Sequence, residues 1–460
     1  MDNVIDLIDQ SAFLGERATG TTNLLQSVWI YNRGIDLDGL RRFHRNLQRG
    51  RLSRRIERSR LPFGRHRWVA PKDQSDLEII ANPRSRDEFD AWVSEQANTP
   101  LDSEHGPGWH LAVLPFTDGG AAVSFVISHS LIDGVGLCEA LADAAIGRHD
   151  PITWPAAGSR RRWHALREDA RQTACDIPGI GRAVVAAARF ATRNRGGDGT
   201  PPPSAPHTPF AGPDERVDLP KATIFIDGDD WDARAHSLGG TSNALLAGLA
   251  GRLAQRMGRV AGDGLATLAI PVNERTDGDT RANAITSVDI TVDPAAAPTD
   301  LREIRAAIKQ ALIRHQEVPD DRFALLPLAP LMPRWLIRRM AGVALGGATT
   351  SGSSNLGTLH PAANRPDGTE ADHFAVRLLV PGVTRATVHQ TGGLLGLLAG
   401  RAHGRVFVSV VAYEPGGHNS NDVLQQHISS VLRDFALTAT IGWPCPEPAR
   451  AQCAEPLDRG

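Results

Sequence analysis

The chain has 460 residues, 41% of them hydrophobic, and a formal net charge of −2 at pH 7. This length suits two substantial domains, and the apolar fraction excludes a disordered protein. The near-neutral charge gives no argument for nucleic-acid binding, and the four cysteines show neither zinc-ligand spacing nor a disulfide framework. We interpret the cysteines as reduced thiols and expect no bound metal.

The first ten residues, MDNVIDLIDQ, carry acidic side chains where an export signal needs positive charge. No stretch approaches the roughly 18 uninterrupted apolar residues that a membrane-spanning helix requires. We therefore expect a cytoplasmic protein, with peripheral contact to a membrane left open.

Arginines crowd residues 41–67, which follow the first predicted strand (residues 23–31) and include most of the predicted helix Leu37–Leu47. One interpretation is a solvated basic face, and the other is attraction of an anionic ligand such as a phosphorylated cofactor or an acidic lipid headgroup. The arginines are Arg41, Arg42, Arg45, Arg49, Arg51, Arg54, Arg55, Arg58, Arg60, Arg65 and Arg67.

The stretch at residues 121–145 is the most informative part of the chain. Its apolar run AAVSFVI is typical of a buried strand, and a helical pattern begins after Gly134. The preceding run WHLAVLPF and the turn at residues 118–120 predict a hairpin whose second strand ends at His129. A histidine there can act as a general base, because its usual pKa of ~6.5 is close to working conditions. The alternative is a buried core histidine.

A Gly/Pro-rich segment divides the chain into two halves of similar α and β content. The predicted organisation is an N-terminal domain at 1–195, a linker at 196–213, a C-terminal domain at 214–443 and a loose tail at 444–460.

Three further segments of the second half carry structural predictions. We interpret residues 349–357 (TTSGSSNLG) as a small-residue loop and residues 385–393 (RATVHQTGG) as a strand. Pro327–Leu345 is an amphipathic helix at a membrane surface, one side of a substrate tunnel, or a plain core helix.

The run His129-Ser-Leu-Ile-Asp133-Gly134 matches the HxxxDG core of a superfamily of CoA- and carrier-dependent acyltransferases. That superfamily includes chloramphenicol acetyltransferase, the condensation domains of peptide synthetases, the polyketide-associated acyltransferases and the wax ester synthase/diacylglycerol acyltransferases. The chain most resembles the last branch, because three further segments follow in the expected order: Thr241-Ser-Asn243, Pro271-Val-Asn-Glu-Arg275 and Ser354-Asn355-Leu-Gly357.

The chain departs from this family at one position of the motif. Condensation domains and wax ester synthases commonly carry two successive histidines, and the first is Ser128 here. The second histidine, usually given the catalytic role, is present as His129.

The resemblance implies an α/β fold (α+β layers) in which two chloramphenicol acetyltransferase-like domains form a pseudo-dimer with a tunnel between them. It implies that His129 is the general base and that no acyl-enzyme forms. It gives Asp133, next to Gly134, a structural ion pair with an arginine, and Arg275 is our candidate. The transition-state oxyanion or the substrate would contact Asn243, Ser354, Asn355 or backbone N–H groups near Gly134 or Gly357.

The implied reaction moves an acyl group from acyl-CoA to the hydroxyl of an alcohol or glycerolipid, and acyl-CoA is a substrate, so no cofactor is expected. Two alternatives stay open: a condensation-type enzyme that takes its acyl group from a carrier protein, and a non-catalytic binding member of the fold. A peripheral contact with a membrane or a lipid droplet is a further open expectation.

Overall fold

The computed structural model describes residues 3–72, 75–148, 152–196, 212–276, 278–317, 321–338 and 350–444. Most of the predicted linker (196–213) and all but the first residue of the predicted tail (444–460) lie outside this part of the chain. No helix in the described ranges has both the length and the apolar composition needed to cross a bilayer.

The first half of the chain alternates helices with strands. In chain order its elements are α1 (Leu7–Thr19), β1 (Leu24–Tyr31), α2 (Leu37–Leu47), β2 (Arg55–Glu57), β3 (Arg67–Val69), β4 (Leu77–Ile79), a 3₁₀ turn (Arg86–Glu88), α3 (Phe89–Ala97), β5 (Trp109–Pro115), β6 (Ala121–Ser128), α4 (Gly134–Ile146) and α5 (Arg162–Gly196).

The second half has a similar mixture. Its elements are β7 (Lys221–Asp227), α6 (Gly228–Ser237), α7 (Ser242–Arg256), β8 (Ala266–Asn273), β9 (Ile285–Val292), α8 (Arg302–Glu317), α9 (Asp321–Ala324), a 3₁₀ helix (Leu326–Leu331), β10 (Ser351–Thr358), a 3₁₀ turn (Pro361–Asn364), β11 (His373–Leu379), α10 (Arg385–Gln390), β12 (Leu394–Ala402), β13 (Arg405–Tyr413), α11 (Asn421–Asp434) and β14 (Ala439–Ile441).

A five-stranded sheet in the order β11-β1-β6-β5-β4 carries the predicted hairpin, β5–β6. All eight residues of β6 are buried, as its unbroken apolar run predicts. The edge strand β11 comes from the second half of the chain and pairs antiparallel with β1, so that Leu24 faces Ser128 on one side and Leu379 on the other. The predicted domain boundaries stay a prediction, but the two halves share this sheet.

A seven-stranded sheet in the order β14-β7-β13-β12-β10-β8-β9 forms the second half. Helices α7, α8 and α11 pack on it around one apolar core. The small residues of α7 permit this packing: a Cβ at Gly248 would lie 2.9 Å from Cδ2 of Leu301, and one at Gly251 would lie 2.8 Å from Cγ2 of Val292.

Aromatic rings join the two sheets. Trp29 of β1 stacks on Phe374 of β11 with 5.1 Å between ring centroids, and Phe374 meets Phe407 of β13 edge-to-face at 6.0 Å. The strand that completes the first sheet therefore also packs against the second.

The prediction of a loop at 349–357 was wrong, because Ser351–Thr358 is strand β10. It lies parallel to both β12 and β8, so its backbone groups are paired within the sheet. Gly352 faces Gly396 across the β10–β12 pair. The small side chains that suggested a loop instead suit close packing inside the sheet.

The prediction of a strand at 385–393 was also wrong, because Arg385–Gln390 is helix α10. The Thr384 hydroxyl accepts a hydrogen bond from the Thr387 N–H and caps the helix, which outweighs the strand preference of Thr and Val. Gly392 and Gly393 end it with positive φ angles.

Pro327–Leu345 does not form one continuous helix within the described residues. A 3₁₀ helix spans Leu326–Leu331 and includes Pro330, and an α-helical segment begins at residue 334. Proline removes a backbone donor and so interrupts the helical hydrogen-bond ladder. Residues 339–345 lie outside the described chain.

Helix α1 was missed by the sequence analysis, which read the N-terminus only for an export signal. Asp6 caps it by accepting from the Ile8 N–H at 2.9 Å. Its buried face includes Asp9 and Phe13, and Asp9 proves important for the site below.

Removing the Trp29 side chain should destabilise the fold strongly. The ring is fully buried, and its Nε1 donates to the Ala363 carbonyl at 2.9 Å. We expect Trp29→Ala to lower the free energy of unfolding by about 3–5 kcal/mol, measured by urea denaturation. Trp163→Ala is the control, because that ring is 84% exposed. A loss at Trp29 no larger than at Trp163 would contradict the packing described.

Candidate active site around His129

His129 follows β6 directly, and its peptide is held on both sides. Its N–H donates to the Asn23 carbonyl at 2.8 Å, and its carbonyl accepts from Asn283 Nδ2 at 3.1 Å. The side chain is half-buried, and the imidazole has no hydrogen-bond partner among the described residues. A neutral imidazole in this state has a ring nitrogen free to accept a proton.

Asp133 ends the turn after His129 and caps helix α4. Its Oδ1 accepts from the Gly136 N–H at 2.7 Å, and its Oδ2 accepts from the Ala284 N–H at 2.8 Å. With the ion pair to Arg275, this carboxylate has three partners and is fully buried. Both of its oxygens are bound by protein groups, which suits an anchor better than a proton carrier.

Arg275 lies in the loop after β8, and its Nη2 contacts Asp133 Oδ2 at 2.6 Å. The two side chains are 2% and 1% exposed. The same guanidinium donates to the carbonyls of Arg281 at 3.1 Å and Ala282 at 2.9 Å. The structure thus brings the predicted pair together and ties the β8–β9 loop to the motif turn.

The glycines of the turn lie close to neighbouring side chains. A Cβ at Gly134 would lie 2.8 Å from Cδ2 of Leu356, and one at Gly136 would lie 3.0 Å from Cζ of Arg275. Leu356 follows Asn355 in β10, so the turn after His129 packs against the end of that strand.

Two of the three candidate oxyanion residues contact each other. Asn355 Nδ2 donates to Asn243 Oδ1 at 2.6 Å, and Asn355 Oδ1 accepts from the Gly357 N–H at 2.9 Å. This leaves the exposed amide nitrogen of Asn243 as a donor. Ser354 is half-buried in β10, opposite Leu398 of β12.

Asn243 lies inside helix α7 and does not cap it. Thr241 is the N-cap of α7, and its Oγ1 accepts from the Ala244 N–H. Asn243 therefore lies within the first turn of the helix, and its side-chain oxygen is used by Asn355 instead of the helix backbone.

Ser128, in place of the first histidine of the motif, belongs to a buried hydroxyl cluster. Its Oγ lies 2.7 Å from Ser130 Oγ, which lies 3.0 Å from Ser103 Oγ. Glu16 of α1 also contacts Ser130 and accepts from the Asn23 N–H at 3.3 Å. Burial raises the pKa of the Glu16 carboxyl to about 7, although these hydrogen bonds and Arg17 oppose the shift.

The arginine-rich segment does not form one open basic face. Several of its side chains pair with carboxylates: Arg41 with Asp38, Arg42 with Asp36, Arg51 with Glu139, Arg58 with Glu104, Arg65 with Asp176 and Arg67 with Asp169. Arg54 is 3% exposed and lies over the ring of Trp68 at 4.4 Å.

One group of possible metal ligands occurs in the described part of the chain. The ligand atoms of Asp102, Glu104 and His105 lie within 4.8 Å of one another. Arg17 and Arg58 form ion pairs with the two carboxylates, so side-chain cations already balance their charge.

Sequence reasoning missed Asp9, Glu16 and Arg54. The first two lie on the helix that was not predicted, and the third was one of many similar arginines. No local motif marks any of them, because their contacts are with residues distant in the chain.

Comparison with known families matches the part of the chain that contains His129. Residues 40–244 match the family model of the wax ester synthase/diacylglycerol acyltransferase catalytic domain. This match covers His129, Asp133 and Asn243, and it confirms the resemblance inferred from the motif. No curated protein is significantly similar to the chain in sequence.

Solved structures share the fold over nearly the whole chain. The first condensation domain of the calcium-dependent antibiotic synthetase, in complex with a substrate analogue, is 14% identical with a TM-score of 0.58, covering 95% of this chain and 96% of that one. The wax ester synthase/diacylglycerol acyltransferase from Marinobacter aquaeolei VT8 is 14% identical with a TM-score of 0.55, covering 94% and 98%. The predicted α/β class, with two chloramphenicol acetyltransferase-like domains in a pseudo-dimer, is confirmed.

Breaking the Asp133–Arg275 pair should cost stability. Arg275→Ala leaves a buried carboxylate without its cation, so we expect a loss of about 3–5 kcal/mol in the free energy of unfolding from urea denaturation. Arg302→Ala is the control, because that side chain is 77% exposed in its pair with Asp300; it should cost less than about 1 kcal/mol. Equal losses would show that burial of the pair is unimportant.

Glu16 should make stability depend on pH. Its folded-state pKa of about 7 lies above the usual 4.5. The protonated carboxyl therefore contributes fully to the free energy of unfolding at low pH, and this contribution is lost as the pH rises through about 7. Glu16→Gln cannot ionise, so its Tm relative to the unmodified protein should increase between about pH 5 and about pH 8.

Glu88→Gln supplies the control: the Glu88 carboxyl titrates below this pH range, so the Tm difference for this variant should stay constant between about pH 5 and about pH 8. Hydrogen bonds from Ser85 lower the pKa of the Glu88 carboxyl, so its contribution is present at neutral pH and lost on acidification. A Tm difference for Glu16→Gln that is constant with pH would contradict the raised pKa.

Proposed function

We propose that this wax ester synthase/diacylglycerol acyltransferase-like chain is an acyl-CoA-dependent O-acyltransferase that acylates an alcohol or a glycerolipid hydroxyl. The observation that carries the proposal is the state of His129: its peptide is held by Asn23 and Asn283 while its imidazole has no hydrogen-bond partner among the described residues. The match over residues 40–244 supports an acyltransferase family.

In the proposed reaction, His129 removes the proton of the acceptor hydroxyl as its oxygen attacks the thioester carbonyl. The new C–O bond forms a tetrahedral oxyanion, and collapse of this species breaks the C–S bond. The imidazolium then returns the proton to the leaving CoA thiolate. The acyl group passes directly to the acceptor without an acyl-enzyme, and general-base help of this kind is typically worth about 10²–10⁴-fold.

The oxyanion requires hydrogen-bond donors at the carbonyl oxygen. The amide nitrogen of Asn243 is the side-chain candidate, since its oxygen is occupied by Asn355. Ser354, Asn355 and the N–H groups near Gly134 and Gly357 are the other candidates. Asp133 and Arg275 would keep the turn in place without touching the reacting atoms. We place the substrates in a tunnel between the two halves.

The acyl donor has two candidates, acyl-CoA and an acylated carrier protein. Similarity to a condensation domain supports an alternative in which a carrier protein delivers the acyl thioester.

Contact with a membrane or lipid droplet would suit a lipid acceptor. Exposed apolar side chains on α5 and in the segment at residues 326–338 support such a contact. These are Trp163, Ile177, Val184, Val185, Leu331 and Trp335.

Replacing the general base should abolish most of the activity. We expect His129→Ala to lower thiol release from acyl-CoA, with long-chain alcohols and a diacylglycerol as acceptors, by about 10²–10⁴-fold. His164→Ala is the control, because that imidazole is 69% exposed on α5. Competition between acyl-CoA and an acylated carrier protein distinguishes the two donors. No release from either donor, with no effect of His129→Ala, would contradict the enzyme proposal and favour a binding function.

A further inference from the structure

Asp9 of α1 is a fully buried acid that holds the β8–β9 loop. Its Oδ2 accepts from the Ala282 N–H at 2.9 Å, and its Oδ1 accepts from the N–H of Asn283 at 2.7 Å and from Asn283 Nδ2 at 3.1 Å. The three N–H donors belong to two successive residues of the loop, Ala282 and Asn283. The carboxylate therefore fixes both the path of this loop and the orientation of the Asn283 amide.

The Asn283 amide connects Asp9 to His129. Its Nδ2 has two hydrogens; one serves Asp9, and the other serves the His129 carbonyl, also at 3.1 Å. Asn283 is 3% exposed, so water cannot easily replace either bond. The His129 peptide is held on its other side by the Asn23 carbonyl, so Asn283 completes its support.

Arg54 supplies the compensating charge for Asp9. Its guanidinium donates to the carbonyls of Leu131, at 2.7 Å, and Thr280, and so joins the motif turn to the same loop. Burial raises the pKa of Asp9 to about 6, and the positive charge of Arg54 opposes the shift. The three N–H donors and the positive charge of Arg54 favour the ionised form of this carboxyl.

We propose that Asp9 is a positioning residue for His129: by accepting from Asn283, it directs the amide hydrogens of Asn283 toward the His129 carbonyl and thereby sets where the imidazole lies. This positioning role concerns the same site as the function proposed above, and its kinetic test rests on that function. It needs the negative charge because a carboxylate only accepts hydrogen bonds. With a neutral amide at position 9, the Asn283 amide can flip and place its own oxygen against the His129 carbonyl.

The test uses the full chain with Asp9→Asn, Asn283→Ala and the double variant. Asp9→Asn keeps the side-chain volume and removes the charge. We expect kcat to fall by about 10–100-fold, because small displacements of a catalytic group are costly, with KM for acyl-CoA changed less than about threefold. Once Asn283→Ala has removed the bridge, adding Asp9→Asn should change kcat less than about twofold. Additive effects of the two substitutions on kcat would contradict the proposal, because Asp9 would then act on the reaction without Asn283.

Asp367→Asn is the matched control. Asp367 is 2% exposed and accepts from the backbone N–H groups of Asp36 and Thr369 and from the Tyr31 hydroxyl. It lies at the Tyr31 end of β1, whereas His129 lies beyond the Leu24 end. We expect Asp367→Asn to lower Tm without changing kcat.

A second measurement separates failure of this inference from failure of the proposed function. The ¹³Cε1 resonance of His129, assigned by its loss in His129→Gln, needs no substrate. It should move in Asp9→Asn and in Asn283→Ala and stay in place in Asp367→Asn. An unmoved resonance in Asp9→Asn, or an equal shift in the control, overturns the positioning role even if the enzyme is inactive. If Asp9→Asn does not fold, an unmoved resonance in Asn283→Ala has the same consequence.

Discussion

The arrangement of the site depends on the buried hydrogen bonds that carboxylates make to the loop between β8 and β9. Asp133 binds the Ala284 N–H and pairs with Arg275, while Asp9 binds the N–H groups of Ala282 and Asn283. The two acids come from the first half of the chain and the loop from the second. One side of the His129 peptide is held by Asn23 of the first half, and the support on its other side, from Asn283, exists only when both halves are assembled.

Burying two acids and two arginines in one place would be unfavourable without such extensive pairing, although Nε of Arg54 and Nε of Arg275 have no hydrogen-bond partner among the described residues. Each carboxylate has at least three hydrogen-bond donors, and each arginine reaches backbone carbonyls as well as a carboxylate charge. Networks of this kind add little net stability compared with apolar packing, but an arrangement that leaves one member unpaired is strongly disfavoured. Their effect is to select one geometry for the turn at residues 129–136.

The sequence was informative where a local pattern determines the structure. The apolar run of β6, the turn before it and the helix after Gly134 follow from composition and spacing, and the resemblance pointed to Arg275 as the partner of Asp133. Asp9 and Glu16 could not be found this way, because Asp9 meets Asn283 across 274 positions of the chain and neither acid has a motif around it. The errors at Ser351–Thr358 and Arg385–Gln390 have the same origin, since neighbouring strands and a single threonine cap overrode the local preferences of those residues.

The position of β11 also bears on how the chain reaches this state during synthesis. Strand β1 has its partner β6 once Ser128 has been made, but its other edge waits for Leu379, about 250 residues later. At synthesis rates of about 5–20 residues per second, that edge stays open for roughly 12–50 s on the ribosome. An open edge of apolar strand can pair with other chains. Nascent molecules on one messenger would thus be exposed to mispairing in this interval, and a chaperone that covers the edge would raise the yield of folded protein.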